Sequence, residues 1–456
     1  MSSINRRTFI KKSAVASAGV VVGAPAIRSF SARKNSAADT LNVAVIGVHG
    51  RGIEHYTQLS KIPNVKIAVL CDCVETLLPK AVAEVEKLTG YKPATETEFR
   101  KVLDNKDIHA VTIATPNHWH ALMTIWACQA GKDVYVEKPV SHTLLEGRKM
   151  VEAARKYSRV VQAGTQGRSS IPTNKAIDFI NSGGLGEVFM TKGTCYKPRA
   201  SIGHTPDGKV PAGVNWDAFL GPAPYRPFNE NRFLYKWHWF WDTGNGDIGN
   251  QSPHQFDIAR WALGKRTHPV KIQSTGRFFL WDSDQETFNT QQAVYEYADG
   301  KVLEFEVRGL ASNADGDMRI GNLVYGSKGW MSINNEDEGI SKVTNADIQM
   351  TPSGFSSYKE SPGPDFKNDD PSTSDPVLNH FRNFIDCVRS RKWQDLHADI
   401  EEGHISTSLS HLANIAARVK RTLYFNPENE KFVNDPDADA YLTRIYRSPY
   451  ILPDNV

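Results

Sequence analysis

Three stretches of this 456-residue chain hold residue types whose spacing can do chemistry. The first is Gly47-Val48-His49-Gly50-Arg51-Gly52, a glycine-rich loop between the apolar run Leu41 to Ile46 and a helical pattern. Glycines placed there let the backbone turn tightly and approach a pyrophosphate at a helix N-terminus. The spacing is G-x-x-G-x-G rather than the standard G-x-G-x-x-G, so the loop takes its weight from context. That context includes Asp72, which ends the next apolar run, where a carboxylate accepts hydrogen bonds from ribose hydroxyls and repels a 2′-phosphate. The pattern reads as an NAD site, with Arg51 keeping NADP open. The second stretch is Val136-Glu137-Lys138-Pro139-Val140, an acid, a base and a proline directly after a short apolar run. A strand that ends in charge usually only meets water, so its meaning depends on the surrounding elements. The third is Tyr235-Lys236-Trp237-His238-Trp239-Phe240-Trp241-Asp242. Flat aromatic faces stack on the C–H faces of sugars while polar neighbours fix the hydroxyls; the same cluster also suits a core. Gln166, Arg168, Arg199 and Arg232 are candidate polar contacts, the last two able to hold a carboxylate or sulfate in bidentate fashion.

The elements that must position these residues follow from hydrophobic periodicity. Short apolar runs at 41–46, 65–70, 110–114, 133–136 and 160–163 alternate with helical stretches near 52, 75–88, 118–130 and 144–157, which predicts a doubly wound α/β domain with a parallel sheet over 41–165. Ligands of such sheets sit at the C-terminal strand edge. Glu137-Lys138-Pro139 and Thr115-Pro116-Asn117 both fall there. From about Gly186 the rhythm changes to longer strands of period two, such as 291–297 and 301–308, which predicts an α+β domain on a mostly antiparallel sheet over 166–424, with 425–456 as a C-terminal extension. The polar stretch 334–376 reads as a loop insertion, followed by helices at 377–388 and 399–421.

With this layout the chain resembles the Gfo/Idh/MocA oxidoreductases. The matching features are the loop Gly47 to Gly52, Ala114-Thr115-Pro116-Asn117-His118-Trp119-His120, Glu137-Lys138-Pro139, Ser182-Gly183 with Gly186, and His254-Gln255-Phe256-Asp257-Ile258-Ala259-Arg260-Trp261, in family order over about 41–420. The resemblance implies that Lys138 touches the reacting hydroxyl of a sugar or polyol, where an ammonium stabilises negative charge developing on oxygen. It implies that Pro139 bends the chain to aim that lysine, through a cis bond, and that His254 is the general base, titrating near neutrality. His49, Thr115, Asn117, His120, Glu137 and Gln166 join Gly47, Gly50, Arg51, Gly52 and Asp72 as candidate cofactor contacts, and Arg168, Trp239, Asp242 and Asn250 are candidate substrate contacts. His120 fits a buried structural role as well. One departure stands out: many members carry an aspartate four residues before the histidine, and here it is Asn250, which binds hydroxyls and cannot accept a proton. Either His254 works alone, or Asp242 or Asp247 substitutes, or the reaction is not a simple dehydrogenation.

Composition excludes more than it assigns. A net charge of +3 with interspersed acids and bases leaves no basic stripe for nucleic acid. Five cysteines, with Cys71 and Cys73 lacking a second pair, read as buried thiols and not as a metal site. Asn5-Arg6-Arg7-Thr8-Phe9-Ile10-Lys11-Lys12, the weakly apolar run 13–23 and Ala24-Pro25-Ala26 read as a twin-arginine export signal over 1–26, with 27–40 as a linker. That run is too short and too weakly apolar for a membrane span. The expectation is therefore a periplasmic or secreted protein, exported folded by the twin-arginine machinery with NAD tightly held. It would transfer hydride from a hydroxyl of a sugar, sugar acid or oligosaccharide in carbohydrate or polysaccharide breakdown, and a homo-oligomer is open. An alternative is an NAD-dependent glycoside hydrolase or lyase that oxidises transiently and eliminates, although the Tyr-x-x-His placement usual on that route is not found. A third reading is a non-catalytic sugar-binding protein on the same fold, against which Lys138 and His254 argue.

Overall fold

The computed structural model describes residues 40–315, 318–334, 341–350, 356–370 and 373–456. The export signal over 1–26 and the linker up to residue 39 lie outside the described residues. Strands β1 (Leu41–Ile46), β2 (Val65–Cys71), β3 (Ala94–Glu96), β4 (Ala110–Ile113), β5 (Asp133–Glu137) and β6 (Val161–Gly164) form a sheet in the order β3-β2-β1-β4-β5-β6, all pairs parallel. The inner strands are apolar because helices cover both faces; every residue of β4 and β5 is buried. Strand order reverses between β1 and β4, and the crevice at that reversal is where an open α/β sheet receives its ligand.

The second sheet contains β7 (Val188–Cys195), β8 (Lys271–Arg277), β9 (Thr290–Glu296), β10 (Val302–Arg308), β11 (Ile320–Gly326), β12 (Gly329–Asn334), β13 (Ser341–Met350), β14 (Ser356–Phe366), β15 (Leu423–Asn426) and β16 (Lys431–Phe432). Its order is β14-β13-β12-β11-β7-β10-β9-β8-β15-β16, antiparallel except where β10 meets β7. One face carries the core: Ile272, Tyr295, Leu303, Phe305 and Val324 pack with Phe256 of the helix Ser252–Ala262 and Leu409 and Leu412 of the helix Ile400–Val419. Among the described residues no helix is long and apolar enough to cross a membrane.

Two expectations change here. The stretch 334–376 is not simply a loop, since β13 and β14 make a long antiparallel hairpin at the sheet edge. The boundary near 165 also does not part the chain cleanly. The helix Pro376–Ser390, capped by Asp375 accepting from Val377 and Leu378 N–H, returns to the first domain and buries Phe381, Phe384, Ile385 and Val388 against Leu70 and Tyr135. Tyr450, Leu452 and Val456 at the C-terminus join the other face of the parallel sheet. The extension 425–456 therefore serves both sheets, giving β16 to one and its last residues to the other.

Candidate active site

A cavity of about 410 Å³ opens at the C-terminal ends of β1, β4 and β5. Gly47 leaves β1 with φ 84°, its N–H donating to Cys71 O at 2.8 Å. A Cβ there would stand 2.7 Å from Ala114 O, and one on Gly52 would stand 1.9 Å from Gly47 O, so both positions exclude any larger residue. Gly50, at φ 53°, precedes the helix Arg51–Leu59, and Gly47, His49, Gly50 and Arg51 all face the cavity. Asp72 binds the loop: Val48 N–H donates to Oδ2 at 3.0 Å and Val74 N–H to Oδ1 at 2.9 Å. Each carboxylate oxygen keeps a lone pair for a ribose hydroxyl. Val74, Leu77 and Phe99 on the same side form an apolar wall suited to an adenine ring. Cys71 and Cys73 also line this end, and burial raises both thiols, which disfavours their thiolates. A backbone cradle that a Cβ would fill, a carboxylate at the end of β2 and an apolar slot beside it together fit a dinucleotide.

The middle of the cavity is built on Glu137 and Lys138. Glu137 Oε1 accepts from Arg51 Nε and Nη2, both at 3.4 Å, from His55 at 3.2 Å and from Gln166 Nε2 at 3.0 Å. Burial opposes its charge, but Arg51 and His55 outweigh it and hold the carboxyl well below its ordinary range. The Lys138–Pro139 bond is cis, and Lys138 Nζ donates to Asn250 O at 2.8 Å. Burial pushes that ammonium down to about 8, with Glu137 pulling the other way. His120 stands between Thr115 O and Pro139 O, 2.7 Å from each, so it braces the lysine's turn against β4. Burial lowers it, and a neutral imidazole has one N–H to give to the two carbonyls.

Of the expected cofactor contacts, Gly47, His49, Gly50, Arg51, Asp72, Thr115, Asn117, His120 and Glu137 line the cavity. Gly52 acts by close packing from beneath. Gln166 sits behind Glu137, bonded also to Tyr135 OH at 2.7 Å. Arg51 donates to Glu137.

The expected substrate contacts divide. Asn250 lines the cavity. Arg168 does not: it is buried in an ion-pair network with Asp257, at 2.7 and 2.9 Å, and Glu402, at 3.1 Å. Trp239 is also buried away from the cavity, under the Arg199 guanidinium at 5.4 Å. Asp242 pairs with Arg226, and Arg232 with Asp207. His254 lies within electrostatic reach of Lys138 and does not line the cavity. Desolvation, with Lys138 adding to it, pushes its ring down to about 3, below the near-neutral value expected of a general base. The groups missed in the aromatic run are Tyr235, Trp237 and His238, which do line it. Their signal is Tyr235-Lys236-Trp237-His238, a Tyr-x-x-His spacing inside the aromatic run, which corrects the expectation that no such placement is found.

A cavity between a dinucleotide cradle, a lysine and an aromatic wall defines a nicotinamide-dependent oxidoreductase architecture. Family models agree: residues 41–165 match "Oxidoreductase family, NAD-binding Rossmann fold", and 188–329 with 336–452 match "Oxidoreductase family, C-terminal alpha/beta domain". The chain belongs to the Gfo/Idh/MocA oxidoreductase family. Similar curated proteins include a glycosyl hydrolase family 109 protein of Shewanella baltica, 29% identical over 209 residues (41% of this chain, 45% of that protein). An α-N-acetylgalactosaminidase of Shewanella oneidensis is 28% identical over 209 residues (41% and 45%). A levoglucosan dehydrogenase of Pseudarthrobacter phenanthrenivorans is 27% identical over 197 residues (43% and 43%). The chain thus spans less than half the length of the curated relatives it matches. Among solved structures, levoglucosan dehydrogenase with NADH and levoglucosan shares the fold at 18% identity and a TM-score of 0.62, covering 84% of this chain and 99% of that one. The aldose-aldose oxidoreductase of Caulobacter crescentus complexed with glycerol does so at 18% and 0.60, covering 85% and 100%.

Proposed function

We propose that this protein oxidises a hydroxyl of a sugar, sugar acid or oligosaccharide, with NAD as hydride acceptor, outside the cytoplasm in carbohydrate breakdown. The observation that carries the reading is Lys138: its ammonium sits in the cavity between the dinucleotide cradle and the aromatic wall, fixed by Asn250 O. There it stabilises negative charge on a hydroxyl oxygen as hydride leaves the attached carbon. Trp237 gives the sugar a flat face, and Asn250 offers a polar contact to a hydroxyl. Gly47, Gly50, Gly52 and Asp72 would hold the dinucleotide. Asp72 and the pairing of Arg51 with Glu137 favour NAD over NADP.

Export through Arg6 and Arg7 is part of the proposal. With no diffusing NAD pool outside the cytoplasm, it calls for a cofactor carried along and reoxidised in place. A redox-neutral glycosidase reading is favoured by Tyr235 and His238 standing in the cavity at Tyr-x-x-His spacing, alongside relatives named as family 109 glycosyl hydrolases. The deciding experiment isolates mature protein from the periplasm, denatures it and assays released nucleotide, then offers levoglucosan and p-nitrophenyl glycosides without added NAD. The expected result is stoichiometric NAD and sugar-dependent NADH. p-Nitrophenol released without net NADH would replace the first reading by the second. Protein still processed and exported after Arg6→Lys and Arg7→Lys would remove the export route.

A further inference from the structure

We infer that residues 213–223 and the C-terminal tail 447–450 form a strap latched over the adenosine half of the dinucleotide cavity, and that the closure of Arg447 on Asp217 sets how slowly bound NAD leaves. The inference rests only on the dinucleotide reading of the cavity, whichever sugar chemistry the cofactor serves. Ala218 and Phe219 of the strap and Tyr450 of the tail line the cavity together with Asp72, Val74 and Leu77. One wall of the adenosine end is thus built by chain that follows the parallel sheet, and not by the strand-loop-helix units themselves. Arg447 and Asp217 stand outside the cavity lining and act through the strap.

The strap is tied to the first domain along its length. Behind Asp72 it runs as a short ladder: Glu75 N–H donates to Gly213 O at 2.8 Å, Asn215 N–H donates to Cys73 O at 2.9 Å, and Val74 bridges Val214. From the helix Asn117–Gln129, Trp119 Nε1 donates to Ala218 O at 3.0 Å and to Phe219 O at 3.1 Å, and His118 Nε2 stands 2.9 Å from Phe219 O. Gly221, at φ 47°, approaches so closely that a Cβ would stand 2.1 Å from the Trp119 ring. Trp216, Phe219, Leu220, Phe228 and Phe233 pack with Val74 as an apolar core of their own, separate from those of the two sheets.

The tail completes the enclosure. Arg447 Nε donates to Gly221 O at 2.9 Å and to Ala223 O at 3.2 Å, Nη2 donates to Asp217 O at 2.8 Å, and Nη1 pairs with the Asp217 carboxylate. Its backbone N–H donates to Pro222 O at 3.2 Å. A guanidinium is a rigid fork of five donors, so this one side chain ties down the short helix Trp216–Leu220 from its first turn to beyond its last residue. Tyr450 then turns in against Trp119, edge to face at 5.2 Å, and takes its place in the cavity wall. Because the latch lies near the end of the chain, the enclosure closes only once the tail has docked. A dinucleotide bound by then is held behind both segments. Lifting the strap breaks the charge-assisted bonds of Arg447 and exposes the apolar core beneath it, which makes release slow.

Release is read on protein saturated with NAD, freed of excess by gel filtration and incubated with an NAD-hydrolysing enzyme that consumes whatever escapes; the NAD still bound is assayed after denaturation. The wild type is expected to hold its NAD for hours. Arg447→Ala and Asp217→Ala are each expected to lose it about ten-fold faster or more, the equivalent of one charge-assisted hydrogen bond. The Asp217 side chain is 61% exposed, so its truncation spares the fold. Both variants should refill to the wild-type stoichiometry when NAD is added back, which damage to the cradle from Gly47 to Gly52 would prevent. Arg447→Lys, which keeps the charge facing Asp217 and gives up the fork, should release NAD at an intermediate rate. Alanine variants that release NAD at the wild-type rate, or a wild type whose NAD is gone within seconds, would overturn the latch and leave the dehydrogenase reading standing. A wild type that never takes up NAD would overturn the dinucleotide reading and the latch together.

Discussion

Lys138→Met is expected to lose hydride transfer by about a thousand-fold while the protein becomes more stable, with the melting temperature rising at neutral pH. Removing one preorganised donor to a developing oxyanion commonly costs ~10²–10³-fold, and Lys138 supplies a full charge as well. The gain in stability comes from the same burial. The ammonium is pushed from 10.5 in water to about 8 in the fold. At about 1.36 kcal/mol per pKa unit, that places an upper bound of roughly 3 kcal/mol on what folding gives up to bury the charge. Methionine fills the space of the lysine stem without the charge, and loses only the hydrogen bond to Asn250 O, worth about 1 kcal/mol. Because the folded pKa lies below the unfolded one, the penalty is full below pH 8 and fades as pH rises from 8 to 10.5. The variant's advantage should therefore shrink across that window. Paired thermal melts of the two proteins at neutral pH and at the alkaline end measure it. Equal melting temperatures at pH 7 would mean that Lys138 is not desolvated as the cavity indicates.

Much of the first domain could be read because its physics is local. Strands covered on both faces must be apolar, so β1, β2, β4, β5 and β6 stand out as short hydrophobic runs, broken by a glycine, a charge or, after β4, Thr115-Pro116. The exception is β3, three mostly exposed residues of Ala-Thr-Glu whose order comes from pairing with β2 and not from their own hydrophobicity. The β13–β14 hairpin was missed for a related reason. An edge hairpin with polar residues such as Lys342, Thr344 and Asp347 lacks the alternation that marks a half-buried strand, and its strands are specified by the ladder they extend.

The site divides along the same line. Residues placed by their own strand ends, Gly47, Asp72, Thr115, Glu137 and Lys138, were found because chain position alone puts them at the sheet's ligand edge. Residues whose role depends on a distant partner were not. Arg168 looks free in the sequence, but its partners Asp257 and Glu402 are 89 and 234 residues away. The aromatic run reaches the cavity through Tyr235, Trp237 and His238 and not through Trp239. The turn at Leu234, whose backbone angle no residue type announces, sends Tyr235, Trp237 and His238 into the cavity and Trp239 behind it. His254 was placed by resemblance, and its low pKa follows from burial and a neighbouring ammonium that only the fold brings together.

Glu430→Gln is expected to cost about 3 kcal/mol of stability without any change at the active site. Glu430 sits in the turn between β15 and β16, and its Oε1 accepts from His268 Nε2 and His404 Nε2, both at 2.9 Å, and from Arg148 Nη2 at 2.6 Å. Those partners come from three further places: ahead of β8, the helix Ile400–Val419 and the helix Leu144–Lys156 of the first domain. One carboxylate therefore joins the two sheets' supporting elements. Glutamine keeps the shape, but it removes the charge facing a guanidinium that is mostly withdrawn from water. Two histidines and a glutamate whose ligand atoms lie within 4.8 Å of one another have the composition of a zinc site. Here Arg148 already occupies the cation's place on the shared oxygen, and a divalent ion would have to sit against it. A chelator should accordingly leave the melting temperature of the wild type unchanged, and a fall on chelation would show that a metal displaces the arginine. Burial works against the Glu430 charge, but hydrogen bonds from His268, His404 and Arg148 outweigh it and hold the carboxyl well below its ordinary range. A depressed folded pKa contributes stability that is fully present above the unfolded value, near 4.5, and drains away as pH falls below it. The melting temperatures of wild type and Glu430→Gln should thus differ most at neutral pH and converge progressively in acid. A gap that persists undiminished at low pH would place the loss in packing and not in the charge.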